Sequence, residues 1–133
     1  MKTYLPLAAA AIISVLATIH LVYTLRDIFS EPRYFTPRDR TLMQALQTTK
    51  LSLAPTGHDF WSATLGFHLT HSIGLLLFAL LIVLSVTTPL PALRPLLIGV
   101  ALLLTLIAWR CWFHIPLMGC AAVTVLLVAG WAF

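Results

Sequence analysis

The sequence predicts an all-α membrane protein, a transmembrane four-helix up-down bundle with a short amphipathic helix between spans one and two. Three observations predict it. Hydrophobic residues make up 60% of the 133 positions, and four bilayer crossings of about 20 residues would use about 80 positions, the same number. Charged residues make up only 9%, against about 25% in a soluble domain. The apolar positions also fall in four long runs separated by polar or proline-bearing breaks. Together these exclude a soluble globular enzyme, a disordered chain and a disulfide scaffold. The length allows one domain, residues 1–133.

Span one is expected at about 3–25, with Pro6 in its first turns, where a missing N–H is tolerated. The Met1-Lys2 start and the small residues near Val15-Leu16-Ala17 also fit a signal peptide. The apolar run continues through Leu25, so the segment reads as a retained span, with Arg26-Asp27 marking its exit.

Residues 26–59 form the one long polar stretch and hold all four acidic residues and five of the eight basic ones. Thr36-Pro37-Arg38-Asp39 reads as a helix start, and Leu42, Met43, Leu46 and Leu53 recur at helical spacing. This predicts an amphipathic helix at the membrane surface, ended by Pro55-Thr56-Gly57.

Span two is expected at about 60–86 and is followed by a Thr-Thr-Pro-Leu-Pro link that cannot continue a helix. Span three follows at about 92–112. A tight turn at His114-Ile115-Pro116 then leads to span four, about 116–133. Short links make consecutive helices antiparallel neighbours. Tyr34, Phe35, Phe60, Trp61, Trp109, Trp112 and Phe113 gather on one membrane face, and Tyr4, Trp131 and Phe133 mark the other, as interfacial belts.

The net charge is +4, but no basic run or basic helix face exists, so no nucleic-acid partner is expected. Arg26, Arg33, Arg38, Arg40, Lys50 and Arg110 lie on the side of the long segment, against Lys2 and Arg94 on the other. The positive-inside rule then puts both termini outside, whereas the acids in the same segment and the charged amino terminus favour the reverse. Cys111 and Cys120 lie in or beside spans and read as free apolar thiols.

Five histidines are present: His20, His58, His68, His71 and His114. At 1.5 Å per residue, His20 lies roughly 9 Å inside the membrane from Arg26, and His68 roughly 10 Å inside from Trp61. Both depths start from the same face, so the two fall at one level. Thr64, His68, His71 and Ser72 share a stripe of span two, and His20, Tyr23 and Thr24 share a face of span one. Two readings are open. Histidines with the polar cluster Tyr23, Thr24, Thr64 and Ser72 can tie helices together by hydrogen bonds in lipid. Alternatively, His20, His68 and His71 can ligate a metal ion, or two of them a haem iron. Met118, Cys111 and Cys120 would be available as soft ligands. No carboxylate lies inside a span and there is no Cys-x-x-Cys-His, so a bundle-type di-iron centre and covalent haem are not expected.

The stretches His20-Leu21-Val22-Tyr23-Thr24 and Trp61 with Gly66-Phe67-His68-Leu69-Thr70-His71-Ser72-Ile73-Gly74-Leu75, and less closely the turn from Phe113 to Gly119, resemble a bacterial family of small four-span integral membrane proteins of uncharacterised function. The resemblance implies the four-span fold and a bacterial inner-membrane setting. It also implies Asn in place of His68 in some members, which leaves His71 and His20 as the better ligands.

The expected function is structural or accessory, by packing against itself or a larger membrane complex within the lipid bilayer. The alternative is a metal- or haem-binding redox protein built on His20, His68 and His71. No residue set reads as catalytic, and a transporter is disfavoured by the lack of an acid inside any span. Ala8 to Ala11, Gly119 and Ala122 can serve contacts between copies or within one bundle.

Overall fold

The computed structural model describes residues 3–52, 54–88 and 90–132. Lys2, Leu53, Pro89 and Phe133, used above for topology, the amphipathic helix, the second link and an aromatic belt, lie outside the described residues. Along the chain run α1 (Tyr4–Phe29), α2 (Arg40–Thr48), β1 (Lys50–Leu51), β2 (Ala54–Asp59), α3 (Phe60–Thr87), α4 (Leu93–Cys111) and α5 (His114–Ala132). The fold is all-α apart from one hairpin. Four helices, α1, α3, α4 and α5, are long and apolar enough to cross a membrane. They lack a polar face. Val15, Phe67, Leu77, Leu96, Leu103, Leu106 and Val125 are all exposed, a cost in water but not against acyl chains.

The chain divides into two compact units. The first comprises Met1–Thr18 and Gly74–Phe133. Its core is drawn from all four long helices: Ala9, Ala10 and Ile13 of α1, Phe78, Ala79 and Ile82 of α3, Leu97 and Ala101 of α4, and Val123 and Leu127 of α5. Small residues let the backbones approach. Gly130 faces Pro6, with a Cβ there 2.7 Å from the ring, and Gly119 faces Leu16. Contacts that descend one helix as they climb the other make α1 and α5 antiparallel. Ala9, Ala10 and Gly119 are thus committed to packing within the chain. Thr105 and Thr124 join α4 to α5 by a 3.0 Å hydroxyl–hydroxyl bond. Cys111 and Cys120 are free thiols.

The second unit, Ile19–Ile73, holds the end of α1, the polar segment and the start of α3. Here the structure corrects several boundaries. α1 continues past Arg26-Asp27 to Phe29. The amphipathic helix begins at Arg40 and not at Pro37, because its cap is the Asp39 carboxylate, which accepts from the Thr41 N–H and hydroxyl. It stops at Thr48, where the chain turns into the hairpin. Lys50 pairs with Asp59 and Leu51 with Ala54, with a register shift between them. The sequence reading carried the helix to Pro55-Thr56-Gly57, which lies inside β2, and had no strand. In the first unit, His114-Ile115-Pro116 forms the first turn of α5, not a turn between helices, and the link is Trp112-Phe113. Trp61, assigned above to an interfacial belt, is only 6% exposed, whereas Trp109 is 70% exposed.

Asp59 starts α3 by accepting from the Ser62 N–H at 2.8 Å and the Ser62 hydroxyl at 3.0 Å. The backbone N–H of Ser62 is the main cause holding its carboxyl below the ordinary value, and Lys50 adds to it. A depressed folded pKa means the cap is fully stabilising above the ordinary carboxylate value, about 4, and is lost as pH falls through the lower folded value. Protection of the Ser62 amide, measured against its intrinsic exchange rate, should therefore fall on acidification below about pH 4, and that loss should vanish in Asp59→Asn, which caps without titrating. Close helix approach gives a second expectation. Gly130→Ala, which meets a rigid proline ring, should destabilise the protein by about 1–3 kcal/mol in detergent unfolding. Gly119→Ala should cost less, since it meets only the mobile end of Leu16.

Candidate functional site

The site lies in the second unit, where the last three turns of α1 face the first three of α3. His20 and His68, placed at one level by their distances from the span ends, meet directly: His20 Nε2 lies 3.0 Å from His68 Nδ1. One nitrogen donates and the other accepts, so the two rings hold matched tautomers, in either of two combinations, and the bonded pair cannot carry two positive charges. The His71 ring stands edge-on to His20 with centroids 5.5 Å apart, and His20 and His68 centroids are 5.1 Å apart. The three imidazoles named from the sequence are therefore brought together. His58 stands exposed on β2, and His114 is exposed at the first residue of α5.

The hydroxyl groups are used differently from the expectation. Thr24 is fully buried and donates to the His20 carbonyl at 2.8 Å; Ser72 is fully buried and donates to the His68 carbonyl at 2.9 Å. Thr64 donates to the Phe60 carbonyl at 2.9 Å. Each hydroxyl thus returns to its own helix four residues back, a bond available to any Ser or Thr in an apolar helix. Tyr23 leaves the imidazoles and stacks on Tyr34, with centroids 4.3 Å apart and planes 5° from parallel.

Two functional residues were not found from the sequence. Asp27, read only as a span-end marker, is 2% exposed. Its carboxylate accepts from the backbone N–H groups of Arg33 at 2.8 Å, Tyr34 at 3.0 and 3.1 Å, and Phe35 at 2.8 Å. A carboxylate in the last turn of a helix opposes the helix dipole, and these donors offset that. The loop so captured carries Phe35, whose ring stacks on His68 at 4.2 Å and lies 4.8 Å from His20. Phe35 therefore covers the imidazole pair with an apolar face. Phe67 flanks the other side, 6.2 Å from His71 and nearly parallel to it. Tyr34, held by the same carboxylate, accepts a 2.9 Å bond from Arg26. The only available cue was an Asp at a helix end followed by an aromatic pair seven and eight residues on, and that pattern has many outcomes.

Among the described residues, no group of three or more His, Cys, Asp or Glu side chains is arranged to hold a metal ion. Of the residues proposed as soft ligands, Met118 and Cys111 are exposed. The arrangement can share one proton between two rings and exclude water from them on the Phe35 side. Comparison with protein-family models, with curated proteins and with solved structures found no match.

The carboxylate clamp sets an expectation. Asp27→Ala should release residues 33–35, raising amide exchange there. It should cost about 3–6 kcal/mol in detergent unfolding, from at least two charge-assisted bonds at about 1.5–3 kcal/mol each. Modification of His20 and His68 by diethyl pyrocarbonate should also speed up, because Phe35 no longer covers them.

Proposed function

We propose that this chain is a small multi-pass membrane protein with a structural or accessory role, whose histidine cluster acts as a polar tie between the first and second spans. The bacterial inner membrane is its proposed home, on the resemblance of the His20-to-Thr24 and Gly66-to-Leu75 stretches to a four-span bacterial family. The observation that carries this reading is the 3.0 Å bond between His20 Nε2 and His68 Nδ1. In lipid a polar group has no water to turn to, and two imidazoles that satisfy each other hold their helices in one register.

The other reading, a metal- or haem-binding redox protein using His20, His68 and His71, is favoured by the convergence of three rings. It is weakened because the facing nitrogens of two of them already share a proton.

A double-mutant cycle with His20→Ala and His68→Ala should give a coupling of about 0.6–1.7 kcal/mol, the size found for such ties in membrane proteins. The same detergent-purified protein should show no Soret band and no stoichiometric metal. A Soret band, or stoichiometric copper, iron or zinc that disappears in His20→Ala and His71→Ala, would establish the redox reading instead.

A further inference from the structure

Two adjoining cavities in the second unit have complementary chemistry. The first, about 460 Å³, is lined by Arg26, Ser30, Glu31, Pro32, Arg33 and Tyr34. The second, about 760 Å³, is walled mainly by Ile28, Leu51, Trp61, Leu65 and Gly66, and a Cβ built on Gly66 meets nothing within 4 Å. Ser30 and Pro32 line both, so the cavities share a wall. One chamber thus presents two guanidinium groups and the other an open apolar surface of a size suited to a small-molecule ligand.

We infer that these joined cavities form a binding site for one anionic phospholipid, its headgroup phosphate between Arg26 and Arg33 and part of an acyl chain along Trp61 and Leu65. This rests on the membrane-protein reading but not on any role of the imidazoles. Two observations and one general rule favour a lipid over a soluble ligand. The site lies where the apolar helix α1 ends and the apolar helix α3 begins, which on the membrane-protein reading is the level of the headgroups. Basic pockets between spans at that level recognise anionic headgroups. Arg26 is also held in place, since it donates to the Tyr34 hydroxyl at 2.9 Å with its guanidinium carbon 6.0 Å from the ring centroid. Two acids are near. The Asp27 carboxylate, on the apolar cleft's wall, is turned onto the N–H groups of residues 33–35. Glu31 faces the arginine cavity and offsets one of its two positive charges. One net positive charge then faces the headgroup, worth about a fivefold preference over a zwitterionic lipid.

The test uses the full chain with Trp109, Trp112 and Trp131 changed to Phe, so that Trp61 alone fluoresces. It is reconstituted in two vesicle preparations of identical phosphatidylglycerol and phosphatidylcholine content, with brominated acyl chains on one lipid or the other. Quenching of Trp61 should report about fivefold tighter association of the anionic lipid. Arg26→Gln with Arg33→Gln, which leaves the Glu31 carboxylate alone in the cavity, should reverse that preference in favour of the zwitterionic lipid, and Glu31→Gln should raise it by about a further fivefold. Gly66→Leu, which fills the apolar chamber, should reduce quenching by both lipids. Equal quenching by the two lipids in the parent protein would overturn the inference. So would loss of the preference on adding inorganic phosphate but not chloride at the same ionic strength, which would mark a site for a free oxyanion. A chain that fails to enter vesicles at all would instead overturn the membrane reading beneath it.

Discussion

One carboxylate at the end of α1 organises the polar half of this protein. Asp27 sits in the last turn of α1, where the helix dipole disfavours a negative charge. It is nonetheless buried, because three successive N–H groups of the following loop close on its two oxygens. Those N–H groups have no strand or helix to bond to, and backbone donors near lipid must find a partner. The two needs are met by one contact. Once residues 33–35 are fixed, Phe35 lands on the imidazoles and Tyr34 on Tyr23 and Arg26. The cover of the histidine pair and the placement of the arginine cavity both follow.

The polar side chains within the spans divide into two kinds. Serine and threonine hydroxyls, at Thr24, Thr64, Ser72 and Ser85, bond to carbonyls of their own helix. Such bonds satisfy the group without specifying a neighbour. His20 and His68 instead bond across to another helix, and the contact between them carries information about register that the hydroxyls do not. Thr105 and Thr124 show the intermediate case, each bonded within its helix and also to the other.

Much of this was legible in the chain itself. Four apolar runs of bilayer length need no tertiary partner to be recognised, because length and hydropathy are local properties. The level of His20 and His68 was legible too, since the rise per residue of a helix is fixed and both spans can be measured from the same boundary. The helix start at Asp39 was misplaced by three residues because Thr36-Pro37 offers an equally good local cap. The hairpin of β1 and β2 was missed, as β1 has only two residues and β2 carries Pro55 and Gly57, which read as helix breakers.

The sequence by itself therefore determined the all-α class, the four candidate spans and the common level of His20 and His68. Only the tertiary structure decided that Asp27 is buried, that Phe35 covers His20 and His68, and that Trp61 lines a cavity and not a belt. The physical reason is the same for each. These contacts depend on the path of a loop whose residues have no periodicity, and that path is chosen by which backbone groups reach a distant carboxylate, not by any preference of the residues that form it.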